Sequence, residues 1–158
     1  METATVAVLK KELSHYSQPE LMQICLRLSR FKKENKELLS YLLFEAGDEQ
    51  TYIEGVKKQM DEFFAEINSS SYYFIKKSVR KILSGVKKNI RYSQKKETEV
   101  ELLLYFCRKL RVMQPSFTRS PVLRNTFQTQ LRMIKKAMGK LHEDLQYDYA
   151  IELEKLES

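Results

Sequence analysis

The sequence predicts an all-α protein, with about seven helices arranged as antiparallel hairpins in a single domain spanning residues 1–158. Three observations lead there. Apolar residues recur at spacings of three and four along the whole chain. No stretch alternates apolar with polar residues over a strand's length between turn signals. Only 4 glycines and 3 prolines punctuate 158 residues, too few for the many tight turns of a β protein. A chain of this length buries roughly 68 to 70% of its unfolded surface, so a core can form without disulfide or metal staples.

The elements follow in order. A first helix over about 4–15 turns Val6, Leu9 and Leu13 inward. In SQPELMQICLRLSRF, Ser17 and Glu20 make the S-x-x-E pair in which hydroxyl and carboxylate each satisfy a free backbone donor, and Pro19 is tolerated in the first turn. This second helix, 18–31, carries Leu21, Ile24, Cys25 and Leu28. A third, 34–46, ends at Gly47, placed where a left-handed closing residue is wanted. The fourth, 49–67, runs through Ile53, Val56, Met60, Phe63, Phe64 and Ile67, and NSSS at 68–71 supplies a turn and a cap for the fifth, 72–92. A sixth covers 98–113. After a loop marked by Pro115, Ser120 caps and Pro121 opens the last helix. Its seam of Phe127, Leu131, Ile134, Met138, Leu141 and Leu145 continues to Tyr149, Leu153 and Leu156 as one long helix, with Gly139 as a point of bending.

After the first helix the rest pair as 18–31 with 34–46, 49–67 with 72–92, and 98–113 with 121 onward. Cys25 and Leu28 share the spacing of Cys107 and Leu110, and the offset between them accommodates two repeats of about 41 residues. In period and pairing the chain resembles armadillo and HEAT-type repeats. Glu66 stands where the middle repeat would place its cysteine, and no repeat consensus is present. A short HEAT- or armadillo-like stack and an irregular helical bundle are both open.

The net charge of +7 is unevenly spread. Residues 1–66 hold nine basic and twelve acidic side chains; 67–96 and 102–142 each hold nine basic and no acidic ones; 143–158 hold one basic and six acidic. On a wheel of about 100° per residue, Lys76, Lys77, Arg80, Lys81, Lys87, Lys88 and Arg91 occupy one arc of the fifth helix. Ile75, Val79, Ile82, Leu83, Val86 and Ile90 occupy the opposite arc. The last helix repeats the division, with Arg124, Arg132, Lys135, Lys136 and Lys140 off the apolar seam. In a stack of hairpins the two basic arcs would merge into one concave stripe.

These arcs are either solvated faces or binding faces. A helix shaped for solubility alone mixes signs, since Glu and Lys at i,i+4 stabilise by roughly 0.2 to 0.5 kcal/mol and like charges cost as much. Lys76 with Arg80, Lys77 with Lys81 and Lys87 with Arg91 are like pairs. An anionic macromolecule offsets that repulsion. The candidates are nucleic acid, contacted through its backbone because no base-reading motif is present, and an acidic protein surface. The acidic stretch 143–158 of another copy, or of the same chain, is one such surface and makes the protein a possible homo-oligomer. An anionic membrane surface ranks third, because the apolar faces are committed to a core.

Catalytic chemistry has little to build on. His15 ends a helix, and His142 and Glu143 are adjacent and diverge by about 100° on a helix, unlike metal ligands at i,i+4. Gly47, Gly55, Gly85 and Gly139 are isolated, against any phosphate-cradling loop. Glu34 with Glu37 and Glu45 with Asp48 read E-x-x-E and E-x-x-D, which resembles the magnesium-binding carboxylates of all-α nucleoside triphosphate pyrophosphatases. That family places its pairs on facing helices, whereas here both fall in or just after one. The resemblance would imply a metal-dependent nucleotide hydrolase; the expected reading is a non-enzymatic binding or scaffold protein with no cofactor. Cys25 and Cys107 lie in apolar helical surroundings as reduced, buried thiols, METATVAVLKKE lacks the basic start of an export signal, and no run of eighteen apolar residues occurs. A cytoplasmic protein without membrane insertion is expected.

Overall fold

A computed structural model describes residues 1–158 as eight α-helices with no strand. They are α1 (Val6–Leu13), α2 (Gln18–Phe31), α3 (Lys33–Ser40), α4 (Glu49–Ala65), α5 (Tyr72–Ser93), α6 (Lys96–Val112), α7 (Pro121–Met138) and α8 (Glu143–Glu157). A π-helical turn, Tyr41–Glu45, follows α3, and a short 3₁₀ turn, Phe117–Arg119, precedes α7. No helix is long and apolar enough to cross a membrane. The chain divides into two compact units, Met1–Phe44 and Glu45–Ser158.

In the first unit the local signals act as the sequence predicts. The Ser17 backbone N–H donates to Glu20 Oε1 at 2.9 Å and Glu20 N–H donates to Ser17 Oγ at 3.3 Å, a complete capping box. Extended backbone at Lys32 reverses the chain so that α2 packs on α3, where Asn35 Nδ2 donates to the Leu28 carbonyl at 2.8 Å. Burial departs from expectation. Val6, Leu9, Leu13, Cys25 and Leu28 are exposed, and Ser29 and Tyr41 are the only buried residues of the unit. Helices of 8, 14 and 8 residues have too little volume to enclose side chains from all sides.

The second unit is built round α6. Helices α4, α5, α7 and α8 all pack on it, and Val100, Leu102, Leu103, Phe106, Cys107 and Leu110 are fully enclosed. With Thr98 and Leu104, also buried, these side chains span about 240° of the helix at about 100° per residue, so α6 has no broad wet face. Glu101, Tyr105, Arg108 and Lys109 lie on or beside the remaining edge, where they bond across helices in a fixed register. Lys57 Nζ donates to Glu101 Oε2 at 3.0 Å and Tyr105 Oη to Asp61 Oδ1 at 2.6 Å, each pair 44 residues apart. Arg108 Nη2 donates to Glu152 Oε2 at 2.8 Å, again 44 residues apart. A constant offset means that α4, α6 and α8 run parallel, side by side. α5 lies antiparallel to α4, since Tyr52 Oη donates to the Asn89 carbonyl and Ser93 Oγ to Glu49. α5 packs on both α4 and α6, and α7 on both α6 and α8. The unit therefore has two layers: α4, α6 and α8 in one, α5 and α7 in the other.

Three expectations are corrected. The predicted single helix from 121 to 156 is two helices, because the Lys140 and Leu141 N–H groups close tight i to i+3 turns and His142 Nδ1 then caps α8 by accepting from Asp144 N–H. The break lets Tyr149, Leu153 and Leu156 fold back and bury instead of prolonging the α7 seam. Gly47 does not adopt the left-handed conformation; that role falls to Gln94 (φ 58°) after α5, while Gly47 sits in the turn after the π-helical residues. Of the two cysteines only Cys107 is buried.

Because Phe106 is fully enclosed and meets the Phe64 ring at 5.9 Å, Phe106→Ala is expected to cost about 3 to 5 kcal/mol. Leu9→Ala, on the exposed face of α1, is expected to stay within about 0.5 kcal/mol. Urea unfolding of both variants checks the contrast.

Candidate anion-binding face

The two layers differ in charge. α4, α6 and α8 carry four, three and six acidic side chains against two, four and one basic ones, whereas α5 carries seven basic and α7 four, with no acid on either. These eleven are Lys76, Lys77, Arg80, Lys81, Lys87, Lys88 and Arg91 on α5, and Arg124, Arg132, Lys135 and Lys136 on α7. All are exposed except Lys76 and Lys87, which are half-buried.

On α5 the buried set is Ile75, Val79, Ile82, Leu83, Val86 and Ser93, so the cations occupy the arc turned away from the core. Lys76, Lys77, Arg80, Lys81, Lys87 and Arg91 take part in no ion pair. At about 1.5 Å per residue the row from Lys76 to Arg91 is roughly 22 Å long. Tyr73 shares this arc one turn before Lys76, is 65% exposed, and meets the Phe74 ring edge-on at 5.3 Å.

The α7 cations are more engaged. Lys135 is not uncompensated: its Nζ lies 2.8 Å from Glu157 Oε1, because α8 packs on the flank of α7. Arg124 Nη1 donates to the Thr118 carbonyl and Arg132 Nη2 to Thr129 Oγ1, so each spends a donor locally while its charge remains unpaired. α5 and α7 both pack on α6 with little direct contact between them.

The same geometry accounts for the three α6 cations of the second basic tract. Arg108 pairs with Glu152, Lys109 with Asp61 at 3.2 Å, and the Arg111 guanidinium donates to the Leu156 and Ser158 carbonyls. Tyr149 Oη donates to Glu101 Oε1 at 2.9 Å and Glu97 Oε1 at 3.3 Å, and burial with these two carboxylates pushes its ionisation well above the usual phenol range. The acidic α8 is thus held by its own chain, chiefly by α6. Periodicity within a single helix could not reveal this seam; the signal is the 44-residue offset between acid and base, visible only once the helices are paired.

No group of three or more His, Cys, Asp and Glu side chains gathers as a metal-holding cluster. Of the carboxylates that resemble a pyrophosphatase motif, Asp48 caps α4, accepting from Thr51 N–H and Oγ1 at 3.2 and 2.6 Å, and Glu37 lies 3.8 Å from Lys33. Cys107 is enclosed by apolar side chains, and that burial pushes its thiol up to about 12. No protein family, curated protein or solved structure matches the chain.

The seam between α4 and α6 gives a pH test. The Tyr105 hydroxyl bond, with Lys109 beside it, holds the Asp61 carboxyl below its ordinary value, while burial and Asp61 push Tyr105 up to about 12. A depressed folded-state carboxyl contributes stability that is present above the unfolded value of about 3.9 and lost as pH falls through the folded one. Tyr105→Phe is expected to cost about 1 kcal/mol or less at neutral pH, since Asp61 is half-exposed, and the difference is expected to vanish in strong acid. Urea titrations of both proteins from pH 7 to about pH 2 check the sign.

Proposed function

We propose that this is a non-enzymatic helical binding protein whose α5–α7 layer engages nucleic acid through its phosphates. One observation carries the reading: eleven basic side chains and no acidic one on the two helices of one layer, with six of the seven on α5 held in no ion pair. The α4–α6–α8 layer of the same unit pairs its charges across helices, so sign mixing is available to this sequence and is not used on α5. Three like-charged i,i+4 pairs cost roughly 0.6 to 1.5 kcal/mol together, a repulsion that a polyanion relieves.

A rigid row about 22 Å long suits a backbone carrying a charge every few ångströms better than a small anion. The chemistry is sequence-independent, since lysines and arginines on a convex helix face meet phosphates without reaching base edges. Tyr73, open to solvent at the head of the row, gives a flat surface on which an unpaired base stacks, and this favours single strands. The constant 44-residue register of α4, α6 and α8 supports reading the second unit as stacked hairpins of the armadillo or HEAT kind, a scaffold that presents such rows on one layer.

Fluorescence anisotropy with labelled single- and double-stranded oligonucleotides, at about 50 and 200 mM salt, tests the reading. Binding is expected to fall steeply with salt, with a log–log slope of about −3.5 for five contacts on a single strand. The triple substitution Lys77→Glu, Arg80→Glu, Lys81→Glu is expected to weaken it at least tenfold and flatten the slope. Absence of binding at low salt, or binding indifferent to salt or to the triple substitution, overturns the proposal.

Tyr73 supplies a separate check. Tyr73→Ala is expected to weaken single-strand binding by about 1 to 3 kcal/mol while leaving duplex binding unchanged. Equal loss on both substrates would remove stacking from the mechanism.

A further inference from the structure

The outer face of α8 and an open stripe on α2 are each left without a mate, and they are complementary. We propose that the outer face of α8 in one copy of the chain seats on the α2 stripe of a second copy, so that the protein associates through a contact between unlike surfaces. The inference is independent of nucleic-acid binding and uses none of the α5 or α7 cations.

On α2, Ile24, Leu28 and Phe31 follow the i, i+4, i+7 spacing of a helix-packing face, yet Leu28 is 56% and Phe31 78% exposed. With Arg27 and Arg30 they line an open groove of about 420 Å³. An apolar stripe bordered by two guanidinium groups selects an amphipathic helix with carboxylates along its edges.

Helix α8 has those features. Its inner face, Tyr149, Leu153 and Leu156, is buried. Opposite, Tyr147 (71% exposed) and Ile151 stand one turn apart, with Asp144 and Asp148 along one side and Glu154 on the other. Glu152 and Glu157 are paired with Arg108 and Lys135, but Asp148 and Glu154 meet no cation, and Asp144 meets only the His142 ring at 3.7 Å.

The stripe from Ile24 to Phe31 covers about two turns and the α8 face from Asp144 to Glu154 about three, so the two can meet over about two turns. One helix-on-helix contact falls below roughly 1,200 Å² of buried surface, the range of weak, reversible association. The association is therefore expected at micromolar concentrations and to weaken with salt, as the flanking pairs are screened.

Sedimentation velocity of the full chain from about 10 to 300 µM, in low and high salt, reads the association. The weight-average mass of the native chain is expected to rise with concentration. Two charge-reversed chains, Arg27→Glu with Arg30→Glu and Asp144→Lys with Asp148→Lys, are each expected to stay monomeric, because like charges then face each other at the contact. An equimolar mixture of the two is expected to restore association, since each now offers the other a complementary pair. All four positions are exposed, so the helical circular dichroism spectrum should be unchanged in either variant. A native chain that remains monomeric throughout overturns the proposal. So does a charge-reversed chain that associates as well as the native one, or a mixture that stays monomeric.

Discussion

Enclosure of the apolar face of α6 by four other helices is the constraint from which the second unit's other properties descend. Its fully buried residues, including Leu102, Leu103, Phe106 and Leu110, bring four helices onto one rod. Each such side chain contributes roughly 1.5 to 3 kcal/mol, so this contact outweighs any surface electrostatic term in the molecule. A helix so covered keeps its polar groups only along one narrow edge, and those groups must find partners on whichever helices border it. Glu101, Tyr105, Arg108 and Lys109 do so with α4 and α8. Acids are consequently recruited to the layer that contains α6, and α5 and α7, which border no such edge, are free to be wholly basic.

The energetic scale separates fold from function. The ion pairs of the α4–α6–α8 seam are partly exposed and individually modest, so their structural value lies in fixing the register of parallel helices more than in stability. The repulsion along α5 is of similar size and far smaller than the burial of Ile75, Val79 and Val86 beneath it. The fold thus tolerates an uncompensated row of cations at little cost. A feature that stability neither requires nor forbids is one that binding is able to shape.

Much of this was legible in the residues. Spacings of three and four, the Ser17–Glu20 box, and Ser120 before Pro121 placed helix starts and the α5 division into apolar and basic arcs, because these depend on neighbours within one or two turns. What was not legible depends on distance. The seam Phe127 to Leu145 reads as continuous, yet His142 caps a new helix, and Tyr149 and Leu153 are buried on that helix as it packs on α6. The same limit hid the pairing of Lys135 with Glu157 and of Arg108 with Glu152. For α1 and α2 the pattern correctly gave amphipathic helices, but periodicity names the apolar side without saying whether anything covers it. Leu9, Cys25 and Leu28 face solvent for that reason.

The two thiols sit at opposite extremes of access. Cys25 meets solvent directly, whereas Cys107 is sealed within the one helix that every other helix of its unit touches. A maleimide or disulfide reagent therefore reaches the first sulfur at once and the second only when that enclosure opens. The chain carries its own stopwatch for opening, with a fast internal reference, and no engineered label is required to read it.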